Sequence, residues 1–211
     1  MPAPPNPTPA LLELGAATLG ESGGQAMRAR VRPAWGGAQL AAPAYPVRCT
    51  PADNLAVHVG VTQAPPGSVL VVDVGDEREL GYWGEVLTTA AEARGLAGLV
   101  IDGCVRDTAA LAAHAFPVFS TGVALPGATK NRVGAVGVPT VVGGVEVSAG
   151  DWIVADSDGV TVVPGDALDT VLAAGRARAE KETRFFAELR GGKTTVELLD
   201  LDPSPIERPA H

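Results

Sequence analysis

The sequence predicts a single α/β domain, in which a central β-sheet is flanked by helices and joined by a lobe rich in β-hairpins. Residues 68–75 and 95–102 are short apolar runs typical of buried strands, and residues 84–94 between them carry apolar side chains at helical spacing. A strand, a helix and a second strand in this order predict parallel neighbouring strands with the helix packed on the sheet. Short β runs separated by glycine-containing turns over residues 133–164 predict the hairpins.

The composition fits one folded domain. The chain has 211 residues, and because 46% are hydrophobic and only 19% are charged, it can bury a sizeable core. Its net charge of −8 argues against a nucleic-acid partner, which would require clustered cations to contact phosphates. Two cysteines cannot build a disulfide framework or a four-thiolate zinc site, so we expect a reducing compartment.

The two ends of the chain are expected to lie outside the domain. Residues 1–9 are rich in proline and predict a disordered N-terminal tail, residues 10–192 form the domain, and residues 193–211 form a C-terminal tail. The N-terminus lacks the pattern of a signal peptide, and no apolar window reaches the roughly 18 residues of a membrane span. We therefore expect a soluble, cytoplasmic protein with no membrane partner.

The remaining elements follow from local patterns. Residues 38–49 are extended but interrupted by prolines, which favours a peripheral strand pair over a central strand. Residues 52–63 fit both strand and helix, and Asp53 and Asn54 as capping residues favour the helix. Residues 108–113 predict a short helix, residues 116–120 another strand, and residues 166–189 a long polar helix with Leu168, Val171, Leu172 and Phe185 on its inner side.

Two loops at the carboxyl ends of neighbouring predicted strands carry the candidate chemistry, because ligands of open parallel sheets bind at this edge. The first loop, residues 74–85, ends where a helix begins at Gly84, and the free amides of a helix start attract an anion. The second loop brings Arg106, a planar fork suited to a carboxylate, and Asp107, a hard oxygen ligand suited to Mg²⁺ or Mn²⁺. One helix and one strand separate Glu85 from Arg106, so Glu85 and Asp107 can face the same cleft.

These residues also have plainer interpretations. An adjacent Arg106-Asp107 pair is commonly a surface ion pair that caps the next helix, and such a pair stabilises little. Cys104 is expected to be a buried structural thiol. His58 and His114 are expected to be packing or surface residues, because no second histidine lies at a metal-binding spacing.

Three segments carry a resemblance to a known family. WGEVLTTAAEARGLAGLVIDGCVRDTAAL, with VRPAWGGAQLAAPA before it and GDWIVADSDGVTVVP after it, resembles the 4-hydroxy-4-methyl-2-oxoglutarate aldolase family, which also contains the regulator of ribonuclease activity A. The resemblance runs from about Leu14 to Gly192. Its most specific element is an acidic residue, twenty intervening residues and then Arg-Asp, which Glu85, Arg106 and Asp107 match.

The resemblance implies a swivelling α/β/α sandwich and a divalent-metal-dependent pyruvate aldolase that also decarboxylates oxaloacetate. By resemblance, Asp107 holds Mg²⁺ or Mn²⁺, largely with waters, and Arg106 contacts the pyruvoyl part of a small 2-oxo acid substrate. The backbone amides that receive the carboxylate correspond to Gly84, Glu85, Val86 and Leu87.

The resemblance also implies a homotrimer or homohexamer in which a glutamate near the C-terminus of a neighbouring subunit completes the site. Glu182 is preferred for this role over Glu180. Because family members include a ribonuclease regulator, a non-catalytic protein that binds a partner enzyme is the alternative function. An acid and an Arg-Asp pair in one cleft favour the enzyme.

The implied chemistry has one common intermediate. Cleavage of the C3–C4 bond of a 4-hydroxy-2-oxo acid and loss of CO₂ from oxaloacetate both leave pyruvate enolate, which a divalent cation and Arg106 stabilise. No Schiff-base lysine is required, and Lys130, Lys181 and Lys193 all lie far from the two loops in sequence. The sequence does not identify the base that takes the proton of the C4 hydroxyl. A metal-bound water and a glutamate of a neighbouring subunit are the two candidates.

Overall fold

The computed structural model describes residues 6–207, so residues 1–5 of the predicted N-terminal tail and residues 208–211 of the predicted C-terminal tail lie outside the described residues. The helices are α1 (Thr8–Gly20), α2 (Leu55–Gln63), α3 (Glu85–Ala93), α4 (Thr108–His114), α5 (Leu168–Arg190) and α6 (Thr195–Leu198). The strands are β1 (Gln25–Ala26), β2 (Arg32–Pro33), β3 (Leu40–Arg48), β4 (Val69–Asp73), β5 (Gly98–Ile101), β6 (Cys104–Val105), β7 (Val118–Ser120), β8 (Gly122–Val123), β9 (Ala135–Val136), β10 (Thr140–Val142), β11 (Val145–Val147), β12 (Trp152–Asp156) and β13 (Gly159–Val163).

The predicted α/β class is confirmed by a main sheet of nine strands, ordered β1-β13-β12-β3-β4-β5-β7-β2, with β9 beside β3. The pairs β3–β4, β4–β5 and β5–β7 are parallel, as the strand-helix-strand unit predicts. Apolar side chains fill both faces of this sheet, where α2, α3 and α4 pack on one side and the hairpin strands on the other. A third apolar cluster lies beneath α1 and α5.

The hairpin region differs in part from the predicted lobe. Gly143 and Gly144, both at positive φ, close the β10–β11 hairpin. The β12–β13 hairpin extends the main sheet, because β12 pairs with β3. One of the glycine-containing turns within residues 133–164, at residues 149–151, does not close a hairpin and instead connects β11 to β12 of the main sheet.

The assignment of residues 38–49 to a peripheral strand pair is wrong, because β3 lies in the middle of the main sheet. Its prolines fit there because β3 changes partners along its length. The nitrogen of Pro43, which carries no hydrogen, faces the side of β4. The β3–β4 pairing begins only at Ala44, so no hydrogen bond is lost there. Pro46 faces the other edge, where its carbonyl accepts the amide of Gly137 (2.8 Å). Neither proline therefore interrupts the β3–β4 ladder.

The ends of the domain are more ordered than the sequence predicts. Residues 8 and 9, assigned to the tail, form the first turn of α1, which bends at Gly15, where φ is 76°. The C-terminal segment contains α6, which begins with a capping box between Thr194 and Glu197. Because Thr194 and Glu197 have the sequence spacing of a capping box, the start of α6 could have been predicted from the sequence. Within residues 6–207, no helix combines the length and the apolar character needed to cross a membrane.

Candidate functional site

A cleft of about 160 Å³ lies at the carboxyl ends of β4 and β5, where the two predicted loops meet. It is lined by residues 81–84 of the first loop and by Arg106 and Asp107 of the second, together with the start of α2 and residues 127, 128 and 130. A larger cavity of about 370 Å³ lies between α1 and β13 and contains none of the predicted site residues. The parallel topology therefore brings Arg106 and Asp107 to the start of α3, as expected.

Asp107 turns its carboxylate away from the helix that it precedes. It occupies the N-cap position of α4 with φ 58° and ψ 36°, a left-handed conformation, and its side chain makes no capping hydrogen bond. Instead, Oδ2 accepts the amide of Glu85 at 3.1 Å and lies 3.7 Å from Nε of Arg106. The interpretation of the Arg-Asp pair as a cap of the next helix is therefore wrong.

Two glycines allow the Arg-Asp pair to approach the first loop. A Cβ on Gly84 would lie 2.3 Å from Oδ2 of Asp107 and 3.1 Å from Cγ of Arg106. A Cβ on Gly81 would lie 2.7 Å from the carbonyl oxygen of Ala124 and 3.0 Å from Cδ of Arg106. The amide of Arg106 also donates to the carbonyl of Trp83 at 2.8 Å, so backbone contacts hold the two loops together.

The first turn of α3 presents free backbone amides at the position that the sequence predicts. The amide of Glu85 is already bonded to Asp107. Among residues 6–207, no group accepts a hydrogen bond from the amide of Val86 or Leu87, and both residues line the cleft. Two free amides at the positive end of a helix can bind a carboxylate.

The Glu85 side chain lies outside the lining of the cleft. Its carboxylate is 3.6 Å from Nε2 of His114, and the other ring nitrogen of His114 lies 2.8 Å from the carboxylate of Glu92. The hydrogen bond to Glu92 and the nearby Glu85 raise the pKa of His114 above its ordinary value. Glu85 thus meets the site only through its backbone amide, which donates to Asp107, while its side chain forms part of a surface cluster and does not face the cleft as expected.

A buried aromatic pair, which the sequence analysis missed, anchors the first loop. Trp83 stacks on Phe116 with ring centroids 6.1 Å apart, and its indole donates to Oγ1 of Thr88 at 2.7 Å. The neighbouring Tyr82 is also fully buried and accepts the side-chain amide of Asn54 at its carbonyl (2.8 Å). These contacts fix the position at which α3 begins. An apolar YW pair within a polar loop was the available signal.

Three polar residues outside the predicted loops also line the cleft: Asn54, His58 and Lys130. Oδ1 of Asn54 and Nε2 of His58 are buried and have no hydrogen-bond partner among the described residues. Lys130, which lies far from both loops in sequence, is brought to the cleft by the loop that follows β8. Burial of the ring and the nearby Lys130 lower the pKa of His58, which outweighs the opposing effect of Asp53.

The strand that leads to Arg106 ends in a buried ion pair. Asp102 is 3% exposed, and Arg30 binds both of its oxygens at 2.7 and 2.5 Å. Burial raises the pKa of Asp102, but the bonds from Arg30 and the charge of Arg78 outweigh it and hold the pKa below its ordinary value. Cys104 is buried, as expected, with Thr121 as its polar neighbour. Asp102 and Cys104 are thus the buried residues that support the second loop just before Arg106.

Glu182 is not brought to the cleft within one chain. It forms an i,i+4 ion pair with Arg178 at 3.0 Å, and Arg178 also contacts Glu21 at the end of α1. Glu180 lines a separate cavity between α1 and α5. The contribution of either glutamate to a neighbouring subunit stays a prediction.

The carboxylate of Asp107 is a chemically suitable ligand for a hard divalent cation that would keep most of its waters. Within residues 6–207 no group of three or more His, Cys, Asp or Glu side chains can enclose a metal. Asp107 nevertheless presents a half-exposed carboxylate whose Oδ1 accepts no hydrogen bond from the described residues. Mg²⁺ typically keeps several waters and binds through one or two carboxylates and its substrate. A single hard oxygen ligand is unsuited to zinc.

The fold and the cleft define an α/β protein with the free amides of a helix start exposed in a cleft at the carboxyl ends of parallel strands. A family model described as "RraA-like: Aldolase/RraA" matches residues 10–162, and the chain belongs to this family. The chain is 37% identical over 147 residues to a Halalkalibacterium halodurans protein named "Putative 4-hydroxy-4-methyl-2-oxoglutarate aldolase", covering 69% of this chain and 70% of that protein.

Solved structures show the same fold. An uncharacterized protein from Pseudomonas syringae superposes with a TM-score of 0.78 at 28% identity, covering 92% of this chain and 96% of its own. The RNA-processing inhibitor RraA from Thermus thermophilis superposes with a TM-score of 0.64 at 30% identity, covering 71% of this chain and 92% of its own. The family that the sequence motifs indicated is thereby confirmed.

Proposed function

We propose that this protein is a divalent-metal-dependent lyase that cleaves 4-hydroxy-2-oxo acids to pyruvate and also decarboxylates oxaloacetate. The proposal depends on one observation: a single cleft combines the carboxylate of Asp107, the guanidinium of Arg106 and the free amides of Val86 and Leu87. The aldolase name of the Halalkalibacterium relative supports the same reaction class.

Each group has a part in the proposed reaction. The amides of Val86 and Leu87 bind the substrate carboxylate, which places the 2-oxo group beside Arg106. Arg106 donates hydrogen bonds to the 2-oxo oxygen, where negative charge develops as the C3–C4 bond breaks. Asp107 would hold Mg²⁺ or Mn²⁺, which supplies Lewis-acid polarisation of that oxygen when bound. The same charge develops when oxaloacetate loses CO₂, so one arrangement serves both reactions.

We further propose that the active assembly is a closed trimer or hexamer. A neighbouring subunit would supply Glu182 to complete the site, since the cleft of one chain is lined by neither Glu182 nor Glu180. The second half of α5, which carries Glu182, is largely exposed in the single chain. Closed cyclic assembly repeats such a contact at every interface.

The test is a metal-dependence assay on purified protein with oxaloacetate and 4-hydroxy-4-methyl-2-oxoglutarate. We expect activity to disappear in EDTA and to return with Mg²⁺ or Mn²⁺. Asp107→Ala should stay inactive at any metal concentration, because it removes the ligand, whereas Asp158→Ala in an exposed turn should behave as wild type. Full turnover in excess EDTA would contradict the proposal.

The alternative function is a protein that regulates a ribonuclease by binding it. The name of the Thermus structure, an RNA-processing inhibitor, favours this class. Exposed apolar side chains, Val86, Leu125 and Val133, offer contact area to another protein chain. A regulator of this kind would show no turnover with either substrate and would inhibit its partner equally well as wild type and as Asp107→Ala.

A further inference from the structure

We propose that the C-terminal arm, residues 191–207, docks on a second copy of this chain, in an apolar groove between α2 and β9. This α2–β9 groove has a volume of about 210 Å³ and is lined by Arg132 and by the apolar side chains of Leu55, Val59, Val133 and Val136. The inference rests on the proposed oligomer, to which it assigns a contact, and it does not depend on the proposed reaction.

The C-terminal arm exposes apolar side chains in the single chain. Every residue from 191 to 207 is exposed except Leu198, which is half-buried. The arm contains α6, a helix of only four residues, and so short a helix is unstable in water unless it packs on a surface. Its large apolar side chains are 40–68% exposed, namely those of Val196, Leu199, Leu201 and Ile206. These side chains therefore lack the surface that would stabilise the arm.

The long helix α5 carries the arm away from the body of its own chain. Arg178 of α5 contacts Glu21 at the end of α1, and the helix continues from there to Arg190, over about 18 Å. Phe186, in this last part of the helix, is 51% exposed. In the groove, Val133 is 85% exposed. Because the arm and the groove are both uncovered in one chain, their contact requires a second copy.

The charges of the arm and of the groove are complementary. The loop over residues 128–134, beside the groove, carries two cations and no acidic residue. Residues 194–207 of the arm contain no cation and four carboxylates, those of Glu197, Asp200, Asp202 and Glu207. With a net charge of −8, the chain repels an acidic arm from much of its surface, so an apolar groove beside cations is a selective place for it.

The larger cavity between α1 and β13 is a poorer match for the arm. Besides Arg32, it is lined by two carboxylates, those of Glu21 and Asp158. Its apolar lining consists mainly of alanines and of buried side chains such as Val31 and Val160. The α2–β9 groove offers larger exposed apolar side chains and no acidic group.

The groove also lies beside the cleft, where the proposed oligomer places the end of a neighbouring α5. Asn54 and His58 line the cleft, and Leu55 and Val59, one position later in each case, line the groove. Along α5, the arm begins at Gly191, about 13 Å after Glu182. A neighbour that presents Glu182 to the cleft therefore brings the start of its arm close to the groove.

The test measures the association of full-length variants by sedimentation equilibrium, without substrate. The arm variant carries Leu199→Ser, Leu201→Ser and Ile206→Ser, and the groove variant carries Val133→Asp. These four side chains are at least 50% exposed, so folding should be unaffected. Each variant should raise the dissociation constant of the oligomer about tenfold or more, because it removes apolar contact area or adds a like charge. Val141→Asp, 53% exposed on β10, is the matched control and should associate as wild type.

Mixing the two variants identifies which surfaces meet. The arm variant keeps an intact groove and the groove variant keeps an intact arm. At a concentration at which neither associates alone, the mixture should therefore form a one-to-one dimer. A groove variant that associates as well as Val141→Asp would refute the groove, and it would point to pairing of arm with arm. An arm variant with the wild-type dissociation constant, or a monomeric wild type, would also overturn the inference.

These outcomes are independent of the proposed reaction. An active lyase whose two variants associate as wild type refutes the docking of the arm and leaves the reaction standing. A protein without turnover whose mixed variants form the dimer supports the docking of the arm and counts against the reaction.

Discussion

Replacing Arg106 with lysine tests the Arg-Asp pair most sharply, because the change keeps the charge and removes the planar fork. The stem of Arg106 runs past Gly81 and Gly84, where added Cβ atoms would lie 3.0 Å from its Cδ and 3.1 Å from its Cγ. Its Nη1 lies near Gly127. This path is closely defined as far as Cδ, and a lysine can follow it. Beyond Cδ, lysine offers one compact ammonium in place of two parallel donors.

The size of the expected effect follows from where the fork acts. If Arg106 stabilises charge that appears only in the transition state, its loss should lower kcat by about 10²–10³, as for a removed oxyanion donor. Aldol cleavage and oxaloacetate decarboxylation should fall alike, since both produce the same enolate. Stability should hardly change, because the Arg106 and Asp107 side chains are 46% and 42% exposed and an exposed pair contributes about 0–1 kcal/mol.

The measurement is steady-state kinetics on both substrates together with thermal unfolding of Arg106→Lys and wild type. A large fall in kcat at unchanged melting temperature agrees with the proposed role. Near-normal turnover would refute it, and so would a loss of activity that only reflects unfolding. A loss confined to one of the two substrates would show that the reactions do not share the step at which Arg106 acts.

Three further outcomes are expected. Gly84→Ala should lose metal binding and activity while staying folded, because the new Cβ would displace the carboxylate of Asp107. Calorimetric titration with Mn²⁺ measures the metal binding. Gly36→Ala is the control, since no atom lies within 4 Å of a Cβ added at Gly36. If subunits share sites, mixing inactive Asp107→Ala with inactive Glu182→Gln should restore part of the activity, and assays of the mixture that stay at background would exclude sharing. Contacts with Glu92 and Glu85 raise the pKa of His114 in the folded protein, so they stabilise the fold fully below about pH 6.5, the pKa of an unfolded histidine. This stabilisation is lost as the pH rises through the higher folded pKa. The melting temperature of His114→Gln should therefore lie below that of wild type at pH 5.5, and the two melting temperatures should become equal at high pH.

The fold was largely predictable because its central unit depends on local patterns. The apolar runs that form β4 and β5 and the helical spacing of α3 are each contained in a few neighbouring residues. The error over β3 arose because a proline in a central strand is tolerated only when its missing donor faces an edge position just beyond the end of the neighbouring strand's ladder. That edge depends on β4 and β9, which lie far from β3 in sequence.

The site could be predicted only for residues that follow strands which are consecutive in the sequence and also neighbours in the sheet. Arg106 and Asp107 follow a strand next to β4, so the parallel topology brings them to the start of α3. Lys130 reaches the same cleft through a loop after β8, and no periodicity in the sequence predicts that path. The burial of Asn54 without a partner for Oδ1 is likewise a property of packing, and its residue type suggested only a helix cap.

The backbone of Asp107 provides an argument about function that the sequence could not contain. An aspartate that caps a helix normally adopts an extended conformation and accepts the amide two or three residues later. Asp107 instead holds a left-handed conformation, which costs a non-glycine residue about 1–2 kcal/mol, and gives up the capping bond of its own helix. What it gains is a carboxylate directed at the amide of Glu85 and set beside Arg106. Strain of this kind persists where the surrounding structure requires one orientation, and it clusters at functional sites. The conformation therefore favours a carboxylate placed to serve the cleft over one placed to stabilise α4.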